Sequence, residues 1–291
     1  MPLLAPRRLA QLAAATSTLL AGAAGGAYLG ARQLSGPRRP AVDYGFTPFE
    51  VGVEAEDVEL VAADGTPIAG WWLDRPGATR VVVCCHGHRG SKADMLGIGP
   101  GLWREGFAVL LFDFRGNGQS GDGPQSLAHY EQADLEVAID WAVARCPGAE
   151  VDVVGFSMGA AVTLMVAARD RRVRRVVADS SFADMRGVVA TAARGMRLPP
   201  VPLVGLVDRM TRWVYGYGFG EVVPVDVVGA IAPRPLLLVH GSEDPVIPVE
   251  HAHRLAAAAR ACRRSKTIVT ARNTSQGSIA WPGLGWIFTG A

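Results

Sequence analysis

The stretch Val151-Asp152-Val153-Val154-Gly155-Phe156-Ser157-Met158-Gly159-Ala160 joins an apolar strand to an alanine-rich helix. It has the form of a nucleophile elbow. A turn this tight strains the backbone of its central residue, Ser157, and the glycines at 155 and 159 remove side chains that would clash there. Backbone N–H groups at the start of the helix then surround an oxygen that gains negative charge. The turn predicts a nucleophilic serine, although an ordinary strand-to-helix turn has the same local pattern.

Three more apolar runs end in polar, glycine-containing loops, as expected where buried parallel strands reach the edge of a sheet. The loop sequences, in chain order, are His86–Ser91 (HGHRGS), Asp113–Ser120 (DFRGNGQS) and His240–Pro248 (HGSEDPVIP). Because ligands bind beyond the carboxyl ends of such strands, these loops and the Ser157 turn are expected to meet at one site.

With these four motifs, the chain resembles the α/β-hydrolase superfamily, whose members carry H-G-x, D-x-R-G-x-G-x-S, G-x-S-x-G and H-G-x-x-D-x-x-x-P in this order. Within it, the motifs are most similar to serine hydrolases related to prolyl oligopeptidase and the serine aminopeptidases. The resemblance covers residues 50 to 290 and implies an α/β fold, with a mostly parallel sheet and helices on both faces. Four matches at the spacing of the family are far more specific than one.

The resemblance implies a role for individual residues. Ser157 would be the nucleophile, Asp244 the acid of the triad, and the backbone amides of His88 and Met158 the oxyanion hole. Asp179 is the alternative acid, because some relatives place the acid after that earlier strand. The histidines that open the two H-G turns, and the charged residues of the Asp113–Ser120 turn, are expected to be structural.

The third member of the triad is missing from the expected place. A serine hydroxyl needs a base, almost always histidine in this fold, and the family places it after the last strand. Here that strand is predicted at 266–270, Asn273 stands at the histidine position, and no histidine follows His253. An amide cannot accept the proton. His251 and His253 are the remaining candidates, on a helix that should carry them away from Ser157.

Two functions therefore remain open. The first is a membrane-associated serine hydrolase that cleaves an ester, thioester or small amide through an acyl-enzyme, and that is inactive if no base replaces the histidine. The second is a non-catalytic binding protein with the same fold. The tail is atypical from residue 263, with Pro282 and two nearby glycines where a closing helix is expected, which indicates a degenerate hydrolase or a disrupted reading frame.

Composition divides the chain into an N-terminal segment, residues 1–40, and a hydrolase domain, residues 41–291, with a lid predicted at 182–230. The chain carries a net charge of +2, but both ends are basic, so the body between them is acidic and nucleic-acid binding is excluded as a function for it. The aromatic run Trp213–Gly220 is expected either to line an apolar substrate pocket or only to pack the lid onto the sheet. The spacing of cysteines and histidines predicts no metal or cofactor.

The N-terminal segment contains no charged residue from Leu9 to Ala31, with Arg7 and Arg8 before this stretch and Arg32 after it. We expect an uncleaved single-pass membrane anchor, followed by a linker at 35–40. The alternative is a secretory signal cleaved near Ala21-Gly22-Ala23, because the segment is rich in alanine and glycine.

Overall fold

The computed structural model describes residues 6–36, 44–259 and 265–270. Within these ranges the chain forms one eight-stranded sheet, and helices or short turns connect its strands along the chain. The strands are β1 (Glu56–Val61), β2 (Pro67–Leu73), β3 (Arg80–Cys85), β4 (Ala108–Phe112), β5 (Glu150–Phe156), β6 (Val173–Asp179), β7 (Leu236–Gly241) and β8 (Ser265–Thr270). The helices are α1 (Pro6–Ser35), α2 (Gly99–Arg104), α3 (Glu131–Arg145), α4 (Met158–Arg169), α5 (Met185–Gly195), α6 (Pro200–Tyr215), α7 (Pro224–Val227) and α8 (Glu250–Ala258).

The sheet has the strand order β1-β2-β4-β3-β5-β6-β7-β8. The first two strands run antiparallel around the turn at Gly65, and all pairs from β4–β3 onward are parallel. The central strands are continuous apolar runs because helices cover both faces. The fold class predicted from the sequence, a mostly parallel sheet with helices on both faces, is confirmed.

The sequence pattern predicts helices near 92–105 and 127–145, and the structure differs from it in their bounds. The helix expected at 92–105 is a short 3₁₀ turn, Lys92–Gly97, and then α2, because Ile98 has a non-helical φ of −126°. The helix expected from residue 127 begins only at Glu131, since Leu127 and Ala128 both have positive φ. Local turns of this kind are not visible in a hydrophobic pattern.

The neighbouring cysteines of β3, Cys84 and Cys85, point to opposite faces of the sheet, because side chains alternate along a strand. Cys85 belongs to the larger core on one face, and Cys84 to the smaller core on the other. Both thiols are free, and burial raises the pKa of each well above its usual value. Both cysteines are buried core residues. Because a thiol with a raised pKa is a poor nucleophile, neither is expected to be reactive.

The N-terminal segment is helical from Pro6 to Ser35, and its last third packs against α6. Ala27 and Ala31 are buried, and a Cβ on Gly30 would lie 2.9 Å from Cγ2 of Val207. The Ser35 hydroxyl is 2.6 Å from that of Tyr217. Among the described residues, no helix combines the length and the apolar character needed to cross a membrane.

The polar turn after β4 is held by a buried ion pair. The Arg115 guanidinium donates hydrogen bonds to Asp134 at 2.7 to 3.1 Å, and both side chains are almost fully buried. Arg115 also contacts Asp64 of the β1–β2 turn at 2.7 Å. This residue therefore ties the first hairpin to α3 beside the site.

Replacing Arg115 with leucine is expected to destabilise the protein by about 3–5 kcal/mol, because the buried carboxylate of Asp134 loses its counter-charge and keeps only the hydrogen bond from the backbone N–H of position 115. The matched control is Arg172→Leu, which removes an exposed pair with Asp140 and Asp170 and should cost no more than about 1 kcal/mol. Urea unfolding followed by circular dichroism measures both. Equal losses in the two variants would contradict this account.

Candidate active site

Ser157 occupies the strained turn that the sequence predicted. Its backbone has φ 53° and ψ −115°, a conformation that L-residues rarely adopt, and it is the residue immediately before α4. Its N–H donates to the carbonyl of Asp179 at 2.8 Å, which holds the turn against β6. The side chain is partly exposed, and its hydroxyl makes no hydrogen bond with any other described residue. The oxygen is thus presented at the carboxyl edge of the sheet.

The two flanking glycines are required by close backbone contacts. A Cβ on Gly159 would lie 2.4 Å from the carbonyl oxygens of both Cys85 and His86. A Cβ on Gly155 would lie 2.3 Å from the carbonyl oxygen of Gly159. The first turn of α4 therefore sits directly on the end of β3, a contact that any larger residue would prevent.

The loop after β3 passes beside Ser157. A Cβ on Gly87 would lie 3.4 Å from Cβ of Ser157, so this loop reaches van der Waals contact with the turn. The next residue, His88, carries one of the two amides predicted for the oxyanion hole. The other predicted amide belongs to Met158, the first residue of α4. Burial lowers the pKa of the His88 side chain to about 4, with a further contribution from Arg89, so this imidazole is neutral at pH 7.

The histidine that opens this loop is structural. Nε2 of His86 accepts a hydrogen bond from the amide of Phe114 at 3.0 Å, so Nδ1 carries the proton and donates to the carbonyl of Gly87 at 2.7 Å. Burial lowers the pKa of this ring and keeps it neutral. His240 has the matching position after β7, with Nε2 2.7 Å from the carbonyl of Ile247.

The far end of the same loop is fixed by a buried lysine that the sequence analysis did not identify. Lys92 is fully buried, and its Nζ donates to the carboxylate of Asp113 at 2.7 Å and to Gln119 Oε1 at 2.7 Å. Its backbone N–H donates to the same carboxylate at 2.6 Å. The hydroxyl of Tyr44 donates to Asp113 as well, at 2.8 Å, and burial with the adjacent carboxylate raises the pKa of that tyrosine. The only sequence signal was the isolated lysine after a serine.

Asp244 lies in the loop after β7, two strands from Ser157. Its Oδ1 accepts hydrogen bonds from the amides of Val246 at 2.8 Å and Ile247 at 2.9 Å, which form a closed turn. Its Oδ2 makes no hydrogen bond within the described part of the chain. One oxygen therefore fixes the carboxylate, and the other remains able to orient a base.

Asp179, the alternative acid, ends β6 between those two positions. Its carboxylate is buried and accepts a hydrogen bond from the hydroxyl of Ser180 at 3.0 Å. Its backbone carbonyl holds the amide of Ser157. These contacts support a role in shaping the turn.

The two late histidines differ in their surroundings. His251 is buried, and its Nδ1 accepts the amide hydrogen of Ala183 at 3.0 Å, so in the neutral ring Nε2 carries the proton and neither nitrogen is free to act as a base. Burial lowers its pKa. His253 is exposed on α8. Neither histidine makes a hydrogen bond to Ser157 in the described structure.

The strand predicted before the base position is present as β8. It pairs in parallel with β7, and Thr270 is in register with Gly241. Asp244 follows Gly241 by three residues, and Asn273 follows Thr270 by three residues. Asn273 itself lies outside the described residues, as does the rest of the tail after Thr270.

The aromatic residues of the insertion between β6 and β7 divide into two groups. Tyr217 and Phe219 are fully buried, and the ring of Tyr217 stacks on His129 with centroids 5.1 Å apart. Trp213 is exposed on α6. The buried pair thus fits the alternative in which aromatic residues pack the insertion onto the domain. Within the described ranges, no cluster of three His, Cys, Asp or Glu side chains is arranged to hold a metal ion.

Comparison with known proteins agrees with this geometry. A family model for the alpha/beta hydrolase fold matches residues 80–219, and the chain belongs to the α/β-hydrolase superfamily. It is 29% identical to the uncharacterized protein YfhR of Escherichia coli over 229 residues, which cover 76% of this chain and 72% of that one. It is also 29% identical to the uncharacterized protein YqkD of Bacillus subtilis over 219 residues, covering 73% and 72% of the two chains.

Solved structures give the same result. The Pyrococcus furiosus esterase Pf2001 superposes with a TM-score of 0.66 and 28% identity, over 81% of this chain and 90% of that one. The α/β hydrolase GrgF from a Penicillium species has a TM-score of 0.58 at 21% identity, over 75% and 89% of the two chains, and shows the fold alone.

The contact between Gly159 and the end of β3 yields a direct test. Gly159→Ala is expected to lower the melting temperature by about 6–12 °C, because its methyl group must displace two backbone carbonyls at a cost near 3 kcal/mol. Gly101→Ala in α2 is the control, since its Cβ meets open space, and it should leave the melting temperature unchanged or slightly raised. Similar melting temperatures for the two variants would refute the close contact.

Proposed function

We propose that this protein is a serine hydrolase that cleaves esters, thioesters or small amides through an acyl-enzyme, with Ser157 as the nucleophile. The observation that carries the proposal is the strained conformation of Ser157 at the start of α4, in contact with the loop after β3. The loop after β3 and the first turn of α4, which carry the amides of His88 and Met158, are in contact, and this supports assigning those amides to the oxyanion hole. The similarity to a solved esterase supports the same reaction class.

In this proposal, Oγ of Ser157 attacks the carbonyl carbon, and the carbonyl oxygen takes up the negative charge. Preorganised amides stabilise that charge without reorganisation, which contributes about 3–4 kcal/mol per donor. Asp244 would orient a base through its second oxygen. The insertion at 182–230 would act as a lid, and an apolar acyl or aryl group is the substrate moiety that we propose for it.

Proton transfer is the step for which the described residues supply no evident base. Asn273 cannot accept a proton, and the ring of His251 is committed to Ala183. This favours the second candidate, a hydrolase-like binding protein whose pocket persists without the reaction. Membrane attachment through α1 remains a prediction from the sequence.

We expect the unmodified chain to hydrolyse p-nitrophenyl esters slowly and to react weakly with a fluorophosphonate probe, because loss of a triad histidine lowers kcat by about 10⁶-fold. Asn273→His should raise both labelling and turnover by at least about 10²-fold, since a positioned base contributes that much or more. Labelling in gel and spectrophotometric turnover measure the effect. Asn273→Gln, which changes the side chain without adding a base, should leave both rates low.

The increase in labelling and turnover expected for Asn273→His should depend on Ser157. Ser157→Ala in the Asn273→His background should abolish labelling and turnover, whereas Ser242→Ala, an exposed serine in the acid loop, should preserve them. Fast Ser157-dependent turnover in the unmodified chain would show that the base lies elsewhere, and substitution of His251 and His253 in turn would locate it. Absence of Ser157 labelling in every variant would favour the binding protein.

A further inference from the structure

Exposed apolar side chains are concentrated on two packed elements. Nine of the thirteen large hydrophobic residues that are exposed in the described structure lie there, four on α1 and five on the insertion. Those of the insertion are Met196, Leu198, Val201, Trp213 and Val214. Exposed clusters of this kind mark surfaces that bind another molecule. We name these five residues, with the exposed arginines among them, the insertion face.

Part of the insertion face lies on the outer side of α6. The inner side of that helix is the buried stripe Val204, Val207, Asp208 and Thr211, which contacts the domain and α1. The outer side presents Arg209 and, one turn later, Trp213, which is 81% exposed. Val201, at the start of the helix, is 85% exposed. Because α1 packs along this helix, the exposed residues of both elements belong to one rigid unit.

The exposed arginines of the insertion outnumber its unpaired carboxylates. Residues 182–230 hold five arginines and four acidic residues. Asp184, Asp208 and Glu221 pair with Arg254, Arg186 and Arg212, and Asp226 is exposed. In the described part of the chain no carboxylate pairs with Arg194, Arg197 or Arg209, and all three are exposed. Their positive charge is therefore available to a ligand.

The middle of α1, from Ala14 to Gly26, adds an uncharged projection. Every residue from Ala14 to Gly26 is exposed, so this part of the helix extends beyond the body of the domain. It contains no charged residue, and Leu19 is 74% exposed.

We propose that the insertion face and α1 together bind the surface of an anionic lipid membrane. Apolar side chains with an exposed tryptophan and flanking arginines are the combination by which proteins insert shallowly among negatively charged headgroups. Trp213 has the ring for the interface between headgroups and acyl chains. This proposal does not depend on the proposed reaction. In the bound protein, the insertion faces the lipid.

A second copy of the chain is the less favourable occupant. In a two-fold dimer the same patch meets itself, so Arg194, Arg197 and Arg209 of the two copies would face one another. Like charges opposed in an interface weaken association. Anionic lipid supplies the complementary charge instead.

The test is flotation of the full chain with vesicles of phosphatidylcholine alone, or with about 30% phosphatidylserine. We expect binding to the anionic vesicles and at least about tenfold weaker binding to neutral ones, because each arginine near the surface contributes several-fold to the affinity. High salt should weaken binding to the anionic vesicles. Equal binding to both vesicle types would overturn the proposal.

Variants separate the insertion face from the rest of the protein. Arg194→Glu with Arg209→Glu should lower the affinity for anionic vesicles by at least about tenfold. The control pair, Arg171→Glu with Arg174→Glu, alters exposed arginines at the amino end of β6, on the opposite edge of the sheet, and should retain binding. Both pairs are checked for unchanged melting temperature. Equal affinities of the two pairs would refute a role of the insertion face.

Depth of insertion gives an independent readout. Brominated phosphatidylcholine in anionic vesicles should quench the tryptophan fluorescence of the unmodified chain, and Trp213→Ala should remove most of that quenching. Phe49→Ala, an exposed aromatic outside α1 and the insertion, should leave quenching unchanged. If sedimentation instead shows a dimer that Trp213→Ala dissociates, the face belongs to a second copy and the lipid proposal is wrong.

Discussion

The site depends on the contact between the first turn of α4 and the carboxyl end of β3. With no side chain at Gly159, the helix approaches the carbonyls of Cys85 and His86 closely enough for two separate loops to meet. That approach brings the loop after β3 against Ser157, and it places the helix N-terminus behind the serine oxygen. The strain at Ser157 persists because neighbouring strands fix the turn from both sides.

Around this contact, buried polar groups hold the loops of the site in place. Lys92 with Asp113 and Arg115 with Asp134 are ion pairs with almost no exposed surface, and each joins a loop of the site to another element. Burying such pairs is costly, and their geometry must be nearly complete to be stable. The loops at the edge of the sheet are therefore held by specific partners, whereas apolar packing stabilises the strands beneath them.

The strands and the serine turn could be predicted because their signals are local. Continuous apolar runs such as those of β3 and β4 indicate strands that are covered on both faces. The glycines on either side of Ser157 indicate the tight turn in the same local way. The partners of Lys92 could not be predicted, since nothing in a local pattern tells which distant carboxylate a lysine will meet. The same holds for the docking of α1 on α6, and the roles assigned to Asp244 and Asn273 rest on the resemblance.

The contact between Ser35 and Tyr217 joins residues that are 182 positions apart. During synthesis, the ribosome releases α1 long before α6 exists, so its small-residue side has no partner while most of the sheet is made. Contacts of such sequence separation form late, because they require the closure of a long loop. The N-terminal helix therefore packs against α6 only after the insertion has folded. Until then, the side of α1 that will contact α6 is open to other molecules in the cell.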